Sequence, residues 1–142
     1  MLGLYGVAGH AHRFARGDDP GYLNRLRTVQ NVSAVTAACL LVRKEVFDKA
    51  GGLDESLAVA FNDVDFCLKV RDAGYRNLWT PFAELIHHES ASRGNDFTPA
   101  KATRFAGEYD IMQQRWGEQL VNDPYYSPHL TYDAEDFSLR VR

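Results

Sequence analysis

The sequence has few cysteines, no long hydrophobic run and no excess of basic residues. Its two cysteines, Cys39 and Cys67, lie within apolar segments. We therefore expect buried free thiols of a reducing compartment rather than a disulfide framework. No apolar run approaches the roughly 20 residues that a membrane-spanning helix needs, and the N-terminus carries no signal-peptide pattern. These absences predict a cytoplasmic protein without a membrane span, although a peripheral position at a membrane stays open.

The charge balance argues against nucleic acid as a partner. Acidic residues number 19 and basic residues 16, so the net charge is −3, and no overall attraction to nucleic acid or to an anionic membrane is expected. Hydrophobic residues make up 45% and charged residues 25% of the chain, which is usual for a globular protein. The length suits one domain, or part of one. No repeat, low-complexity run or linker divides it.

Residues 60–74 read as the start, body and end of one helix. Asn62 is the predicted N-cap, and Gly74 is the predicted residue just beyond the C-terminus. Asp63 and Asp65 lie in the first turn, where unpaired N–H groups and the helix dipole favour acids. The alternative interpretation of these acids is a general base at the start of a helix, facing a site. The predicted inner stripe comprises Val64, Cys67, Leu68 and Arg71.

The remaining segments predict an α/β arrangement. Residues 32–42 are nearly continuously apolar, as in a strand buried on both faces. A short helix is predicted at 43–50, ended by Gly51 and Gly52, and a long helix at 98–116, ended by Gly117. Shorter strands are predicted at 1–7, 75–79 and 83–86, and an irregular tail at 123–130.

Histidines are candidate metal ligands at two places. His10 and His12 lie in a polar loop that supplies no further ligand, so we expect them to be solvated. His87, His88 and Glu89 follow a predicted strand, which is where α/β proteins place binding groups. Imidazole and carboxylate are competent ligands, yet adjacent residues of an extended segment point apart. The segment is therefore compatible with two interpretations, a metal or anion site and an exposed polar loop.

Several motifs, in one order, resemble the C-terminal half of the family-two glycosyltransferases, which have the GT-A fold. They are Val-Thr-Ala-Ala-Cys-Leu-Leu-Val at 35–42, Gly-Gly-Leu-Asp-Glu at 51–55, Phe-Asn-Asp-Val-Asp-Phe-Cys-Leu-Lys-Val at 61–70 and Ile-His-His-Glu-Ser-Ala-Ser-Arg at 86–93. The chain is most similar to bacterial enzymes of O-antigen and surface-polysaccharide synthesis, including the rhamnosyltransferase-like group. The resemblance implies a partial GT-A fold, an α/β structure with a mixed sheet flanked by helices. It also implies a cytoplasmic location, compatible with attachment at the inner membrane.

The resemblance implies transfer of a sugar from a nucleotide-diphosphate sugar to a saccharide or lipid-linked acceptor, with inversion. Direct displacement needs a base for the acceptor hydroxyl and a cation for the leaving diphosphate. By position, Asp63 is the base and Asn62 replaces the acid that precedes it in the family. Asp65 is the second acid of the motif, which we expect either to support the helix start or to support the base from behind without contacting the substrate.

Further roles follow from the same resemblance. His87 or His88 would bind Mg²⁺ or Mn²⁺, and Arg93, with Ser92 in the same loop, would lie near the diphosphate. The expected lining of the donor-sugar floor is Thr36, Ala37 and Ala38, and the expected border of the acceptor side is Asp54 and Glu55.

The chain departs from the family at its front. In the family, a nucleotide-binding half with an Asp-x-Asp motif precedes the segment that begins here at residue 32. Only 31 residues precede that segment in this sequence, and they contain no Asp-x-Asp motif. We therefore expect residues 1–142 to be a single partial domain with an extended tail at 120–142, inactive or nearly so by itself. The alternative is a non-catalytic interaction or carbohydrate-binding remnant, which as a homo-oligomer would bury the surface that the other half would cover.

Overall fold

Two short strands and three α-helices are the regular elements of the computed structural model, which describes residues 1–88 and 98–141. They are β1 (Gln30–Val32), α1 (Lys44–Lys49), α2 (Asn62–Asp72), β2 (Asn77–Trp79) and α3 (Pro99–Leu120). Short 3-10 turns occur at Leu4–Gly6, Tyr22–Arg27 and Ala37–Cys39. The α/β class is thereby confirmed, whereas the GT-A architecture stays a prediction.

The sheet is an antiparallel pair rather than the predicted mixed sheet. β1 pairs with β2 so that Gln30 lies opposite Trp79 and Val32 opposite Asn77. The strand predicted at 75–79 is confirmed as β2, but the strand predicted at 32–42 is wrong. A strand buried on both faces needs covering layers and neighbours, and among the described residues β1 pairs only with β2. Beyond Val32, Thr36 Oγ1 accepts from the N–H of Ala38 at 3.3 Å, a local alternative to a strand ladder.

Because residues 33–42 do not form a strand, the two cysteines lie in different environments. Cys67 is buried on α2, as predicted, but Cys39 is exposed, and both are free thiols. Leu41, which the strand prediction would bury, is 99% exposed. Residues 36–39 and Leu41 of the apolar run are therefore exposed, whereas Leu40 and Val42 pack against the small core of Val46, Phe66 and Val70.

The two ends of helix α2 are formed in different ways. Phe61 occupies the N-cap position with a left-handed φ of 64° and no side-chain cap, and Asn62 is the first helical residue. The prediction of Asn62 as the N-cap is therefore wrong. The C-terminal prediction is confirmed, because Gly74 has a φ of 87° and donates to Arg71 O at 2.9 Å, while Tyr75 donates to Val70 O at 3.1 Å, a Schellman motif. The buried residues of α2 are Asp65, Phe66, Cys67, Leu68 and Val70.

Helix α1 packs against α2 as the sequence indicates. Val46 is 4% exposed and forms a small core with Phe66 and Val70. The ring of Phe47 lies 5.3 Å from that of Phe66. Gly52, with a φ of 66°, brings its backbone close to the Phe47 ring, where a β-carbon would approach within 3.0 Å.

Helix α3 begins as predicted but continues past its predicted end. Thr98 caps it, since its Oγ1 accepts from the N–H of Lys101 at 3.4 Å. The helix runs through Gly117 to Leu120, because burying Leu120 completely offsets the roughly 1 kcal/mol that a glycine costs within a helix. Its buried residues are Glu108, Met112, Trp116 and Leu120.

The N-terminal segment joins the main core without forming the predicted strand. A 3-10 turn at Leu4–Gly6 separates Leu2 and Ala8, which form a single antiparallel bridge. The strand predicted at 83–86 is also wrong, and this segment is exposed. The main core comprises Leu2, Val7, Leu57, Leu68, Met112, Trp116 and Leu120.

Residues 121–141 pack mainly by side chains. Tyr126, Leu130 and Phe137 form a small core, against which Met1 packs. The buried carboxylate of Asp123 accepts from the N–H of Leu2 at 2.9 Å and from Ser33 Oγ at 2.6 Å. No helix among the described residues is long and apolar enough to cross a membrane.

Candidate functional site

The carboxylate of Asp63 joins the first turn of α2 to the segment after β1. Its Oδ2 accepts from the N–H of Ala37 at 3.0 Å, and its Oδ1 accepts from the N–H of Val64 at 2.9 Å. Asp63 is half-buried, whereas Thr36, Ala37 and Ala38 are exposed. The structure thus brings the predicted base into contact with the segment predicted to line the donor sugar, at a surface that a ligand can reach.

Asp65 is fully buried and hydrogen-bonded by α3. Its Oδ1 accepts from Arg115 Nη1 at 2.6 Å and from Trp116 Nε1 at 2.8 Å, and its Oδ2 lies 2.7 Å from Lys69 Nζ. A buried carboxylate with these partners is compensated rather than free. The carboxylate of Asp65 therefore ties α2 to α3, while its expected role at the helix start stays a prediction.

Arg115 also holds the loop that precedes α2. Its Nη1 lies 2.9 Å from Asp54 Oδ2, so one guanidinium bridges Asp54 and Asp65. The hydroxyl and N–H of Ser56, followed by Arg115, hold the pKa of Asp54 well below its usual range. The hydrogen bond to Asp65 in turn raises the pKa of Arg115. Asp54 is therefore an anion tied into this bridge, and Glu55 beside it is exposed.

Glu108 fixes the residues immediately before α2. It is 2% exposed, and its carboxylate accepts from the N–H groups of Val59 at 2.9 Å and Ala60 at 3.1 Å. The ring of Phe105, one turn earlier on α3, lies 5.4 Å from that of Phe61. Helix α3 therefore positions the chain on both sides of Asp63.

Sequence reasoning missed Glu108 and Arg115. Glu108 did have a signal, since an acid stands on the apolar face of α3 at the spacing of Met112 and Trp116. Arg115 had none, because its partners lie about fifty residues earlier in the chain. Trp116, the last residue of the predicted long helix, donates its Nε1–H to Asp65, which the sequence did not indicate.

The predicted metal ligands are not assembled into a site by the described residues. His87 and His88 are exposed. Within 1–88 and 98–141, no group of three His, Cys, Asp or Glu side chains could hold a metal ion. Glu89, Ser92 and Arg93 lie outside the described residues. The metal and diphosphate roles therefore stay predictions.

Comparison with known proteins finds relatives along nearly the whole chain. It is 56% identical over 140 residues to the uncharacterised protein y4gI of Sinorhizobium fredii, covering 98% of this chain and 15% of that protein. It is 37% identical over 143 residues to the O-antigen biosynthesis protein RfbC of Myxococcus xanthus, covering 99% of this chain and 11% of RfbC. No protein-family model matches the chain, and no solved structure matches it significantly.

A further relative is the N-acetylglucosaminyl-diphospho-decaprenol L-rhamnosyltransferase of Mycobacterium tuberculosis. It is 32% identical over 84 residues, which are 59% of this chain and 27% of the enzyme. The chain therefore spans only a small part of the length of each of these relatives. It is similar to segments of larger proteins, one of O-antigen biosynthesis and one a rhamnosyltransferase, and these similarities support a relationship to a glycosyltransferase-like family.

Proposed function

We propose that the chain is the C-terminal, acceptor-side part of an inverting GT-A glycosyltransferase of bacterial surface-polysaccharide synthesis. The observation that carries this proposal is the contact between Asp63 and the N–H of Ala37 at 3.0 Å. It brings together two segments to which the motif order separately assigns the base and the donor floor. The similarity to an O-antigen biosynthesis protein and to a rhamnosyltransferase supports the same class of reaction.

In the proposed reaction Asp63 is the general base. It takes the proton of an acceptor hydroxyl while that oxygen forms a bond to the anomeric carbon, and the bond from this carbon to the diphosphate breaks on the opposite face. The N–H groups of Ala37 and Val64 use one acceptor site on each carboxylate oxygen. A carboxylate has about four such sites, so each oxygen can still meet a substrate proton.

The described contacts hold this base in place. Glu108 anchors the two residues at 59–60, and Arg115 ties Asp54 to Asp65 two residues beyond the base. Because the chain is anchored both before and after Asp63, the carboxylate keeps a fixed orientation toward the acceptor. A fixed orientation of this kind contributes to the rate of the reaction. Asp54 would then border the acceptor from a fixed position.

The donor would be a nucleotide-diphosphate sugar, and the acceptor a saccharide or a lipid-linked saccharide. Mg²⁺ or Mn²⁺ would neutralise charge on the leaving diphosphate, with His87 or His88 as a protein ligand. Ser92 and Arg93 would contact the diphosphate. These assignments rest on the motif resemblance, and the described residues supply no complete metal shell.

The second candidate function is a non-catalytic interaction remnant that forms a homo-oligomer. Exposed apolar side chains that follow the two strands in sequence favour it, since Leu41 is 99%, Phe82 84% and Ile86 84% exposed. Exposed apolar surface of this kind tends to find a partner. A dimeric mass in solution, with no sugar transfer by any assembly that contains the chain, would favour this candidate.

A chimera tests the proposed reaction. The chain replaces the matching segment of RfbC, and O-antigen is measured in Myxococcus xanthus lacking its own RfbC. We expect the intact chain to restore O-antigen and Asp63→Asn to abolish it, because a general base contributes about 10²–10⁴-fold to the rate. Asp110→Asn, at an exposed position of α3, is the matched control and should behave as the intact chain does. Equal O-antigen from Asp63→Asn would remove Asp63 from the role.

A further inference from the structure

Two adjoining cavities lie between the N-terminal loop and the C-terminal tail. Their volumes are ≈ 510 Å³ and ≈ 600 Å³, and both are more open to solvent than enclosed. Arg13, Phe14 and Glu135 line both of them. We refer to the two cavities, which share these three lining residues, as the tail groove, and its residues are remote in sequence from the motifs around Asp63.

Aromatic rings form much of the lining of the tail groove. Phe14 is 90%, Tyr5 64% and Tyr22 40% exposed. The ring of Tyr22 stacks on that of Phe137 at 4.9 Å with an interplanar angle of 6°. Phe137 is 6% exposed and belongs to the small core of the tail. The groove thus presents exposed aromatic rings, one of which rests directly on a buried core residue.

The charges of the groove disfavour a phosphorylated ligand. Glu135 is paired with Arg13 at 3.8 Å, and Asp19 and Asp136 add two further carboxylates to the lining. Hydrogen bonds from Ser138 keep the pKa of Asp136 low. Arg25, over the ring of Phe137, offsets one of these charges, so the groove is net negative by one charge and offers a nucleotide diphosphate no net attraction.

A cationic ligand is also disfavoured. The guanidinium of Arg13 lies 4.9 Å from the centroid of the Phe14 ring, and that of Arg25 lies 5.9 Å from the centroid of Phe137. The ring faces beneath these guanidinium groups are therefore already occupied by a cation and are not free to bind a second one. A neutral ligand that combines apolar ring faces with hydroxyl donors meets neither objection.

We propose that the tail groove binds a neutral saccharide, the acceptor glycan of the proposed reaction. Sugar rings would pack their C–H faces on Phe14 and Tyr22, and their hydroxyls would donate to the carboxylates of Asp19 and Asp136. The extent of the groove over two cavities fits more than one sugar unit. Only the identification of the glycan as an acceptor rests on the proposed function, because the lining itself argues for saccharide binding.

The test is binding of defined saccharides to the 142-residue chain, followed by saturation-transfer NMR. The probes are a rhamnosyl-N-acetylglucosamine disaccharide, a trisaccharide extended by one rhamnose, and spermidine as the cationic competitor. We expect both saccharides to bind, the trisaccharide more tightly, and spermidine not to displace them. Phe14→Ala and Tyr22→Ala should each weaken the dissociation constant at least fivefold. Phe82→Ala removes an equally exposed phenylalanine outside the groove and should change nothing.

Each contrary result has a definite meaning. Absence of saccharide binding, or equal affinity in the Phe14 and Tyr22 variants, would overturn the proposal. Displacement by spermidine would show a cation site instead. Circular dichroism of each variant separates loss of binding from loss of fold, and the exposure of Phe14 makes its replacement safe for the core. Saccharide binding is measured on the chain alone, with no donor and no sugar transfer, so failure of the proposed reaction and failure of the groove are distinguishable.

Discussion

Arg115 on α3 donates to the buried carboxylate of Asp65 on α2 at 2.6 Å. The same guanidinium lies 2.9 Å from Asp54 in the loop before α2. One side chain therefore connects three parts of the chain around the candidate base. Because Asp65 is 0% exposed and Arg115 about one third exposed, this bridge combines a desolvated anion with a partner that remains in contact with solvent.

Replacing Arg115 by alanine should destabilise the protein by about 1.5–3 kcal/mol, the usual range for a hydrogen bond to a charged group. Lys69 and Trp116 remain on Asp65, so the larger cost of a fully unpaired buried charge is not expected. Urea denaturation measures the free energy of unfolding. Arg76→Ala, at an exposed position, is the control and should stay within about 0.5 kcal/mol. Equal stability of the two variants would contradict the bridge.

Glu108→Gln should loosen the segment before α2 while preserving its shape. One carboxylate oxygen becomes an NH₂ group that faces a backbone donor, and this leaves a partly buried N–H without its acceptor, at a cost toward the lower end of about 1–3 kcal/mol. Hydrogen exchange at the amides of Val59 and Ala60 should accelerate. Glu118→Gln, at an exposed position of the same helix, provides the control. Unchanged exchange in Glu108→Gln would show that the carboxylate does not hold these amides.

The two cysteines should differ sharply in reactivity. Cys39 is exposed, whereas burial raises the pKa of Cys67 from 9.0 to about 11. At pH 8 a thiol reagent should therefore modify Cys39 rapidly and Cys67 only on unfolding, since the thiolate is the reactive form. Mass spectrometry of the time course identifies the modified residue. Cys39→Ser should abolish the fast phase, and a fast phase that persists would contradict the burial of Cys67.

The same pKa predicts how stability changes at alkaline pH. A group whose folded pKa is raised contributes stability that is complete below its unfolded pKa, here 9.0, and is lost as the pH rises toward about 11. The free energy of unfolding should fall across this window in the native protein. The fall should be smaller in Cys67→Ala, which is measured in parallel. Identical slopes would show that Cys67 does not titrate as inferred.

Nucleotide diphosphates should not bind this chain by itself in a metal-dependent way. The described residues hold no group of three metal-ligating side chains, and the chain spans 15%, 11% and 27% of the relatives it matches. Calorimetric titration with uridine, guanosine and thymidine diphosphates, with and without Mn²⁺, tests this expectation. Metal-dependent binding of one nucleotide, or robust sugar transfer by the chain alone, would show that a donor site is assembled here.

The elements predicted correctly carry their signals within a few neighbouring residues. Helix α1, the end of α2 at Gly74 and the start of α3 at Thr98 each depend on caps, helical periodicity or a positive φ at glycine. Such signals act between residues within about one helical turn, so they can be recognised in the local sequence. The contact of Asp63 with Ala37 was foreseen only indirectly, through motifs whose order resembles a known family.

Other features depended on groups distant along the chain. Strand formation at 32–42 requires neighbouring strands and covering layers, and the described residues supply only β2 beside β1. Helix α3 passes Gly117 because Leu120 finds space in the main core. The sequence by itself determined the three helices, the end of α2 at Gly74, the start of α3 at Thr98 and the position of Asp63 in a first turn. Only the tertiary structure decided the bridge through Arg115, the anchor at Glu108 and the tail groove, because each needs partners that folding brings together from distant segments.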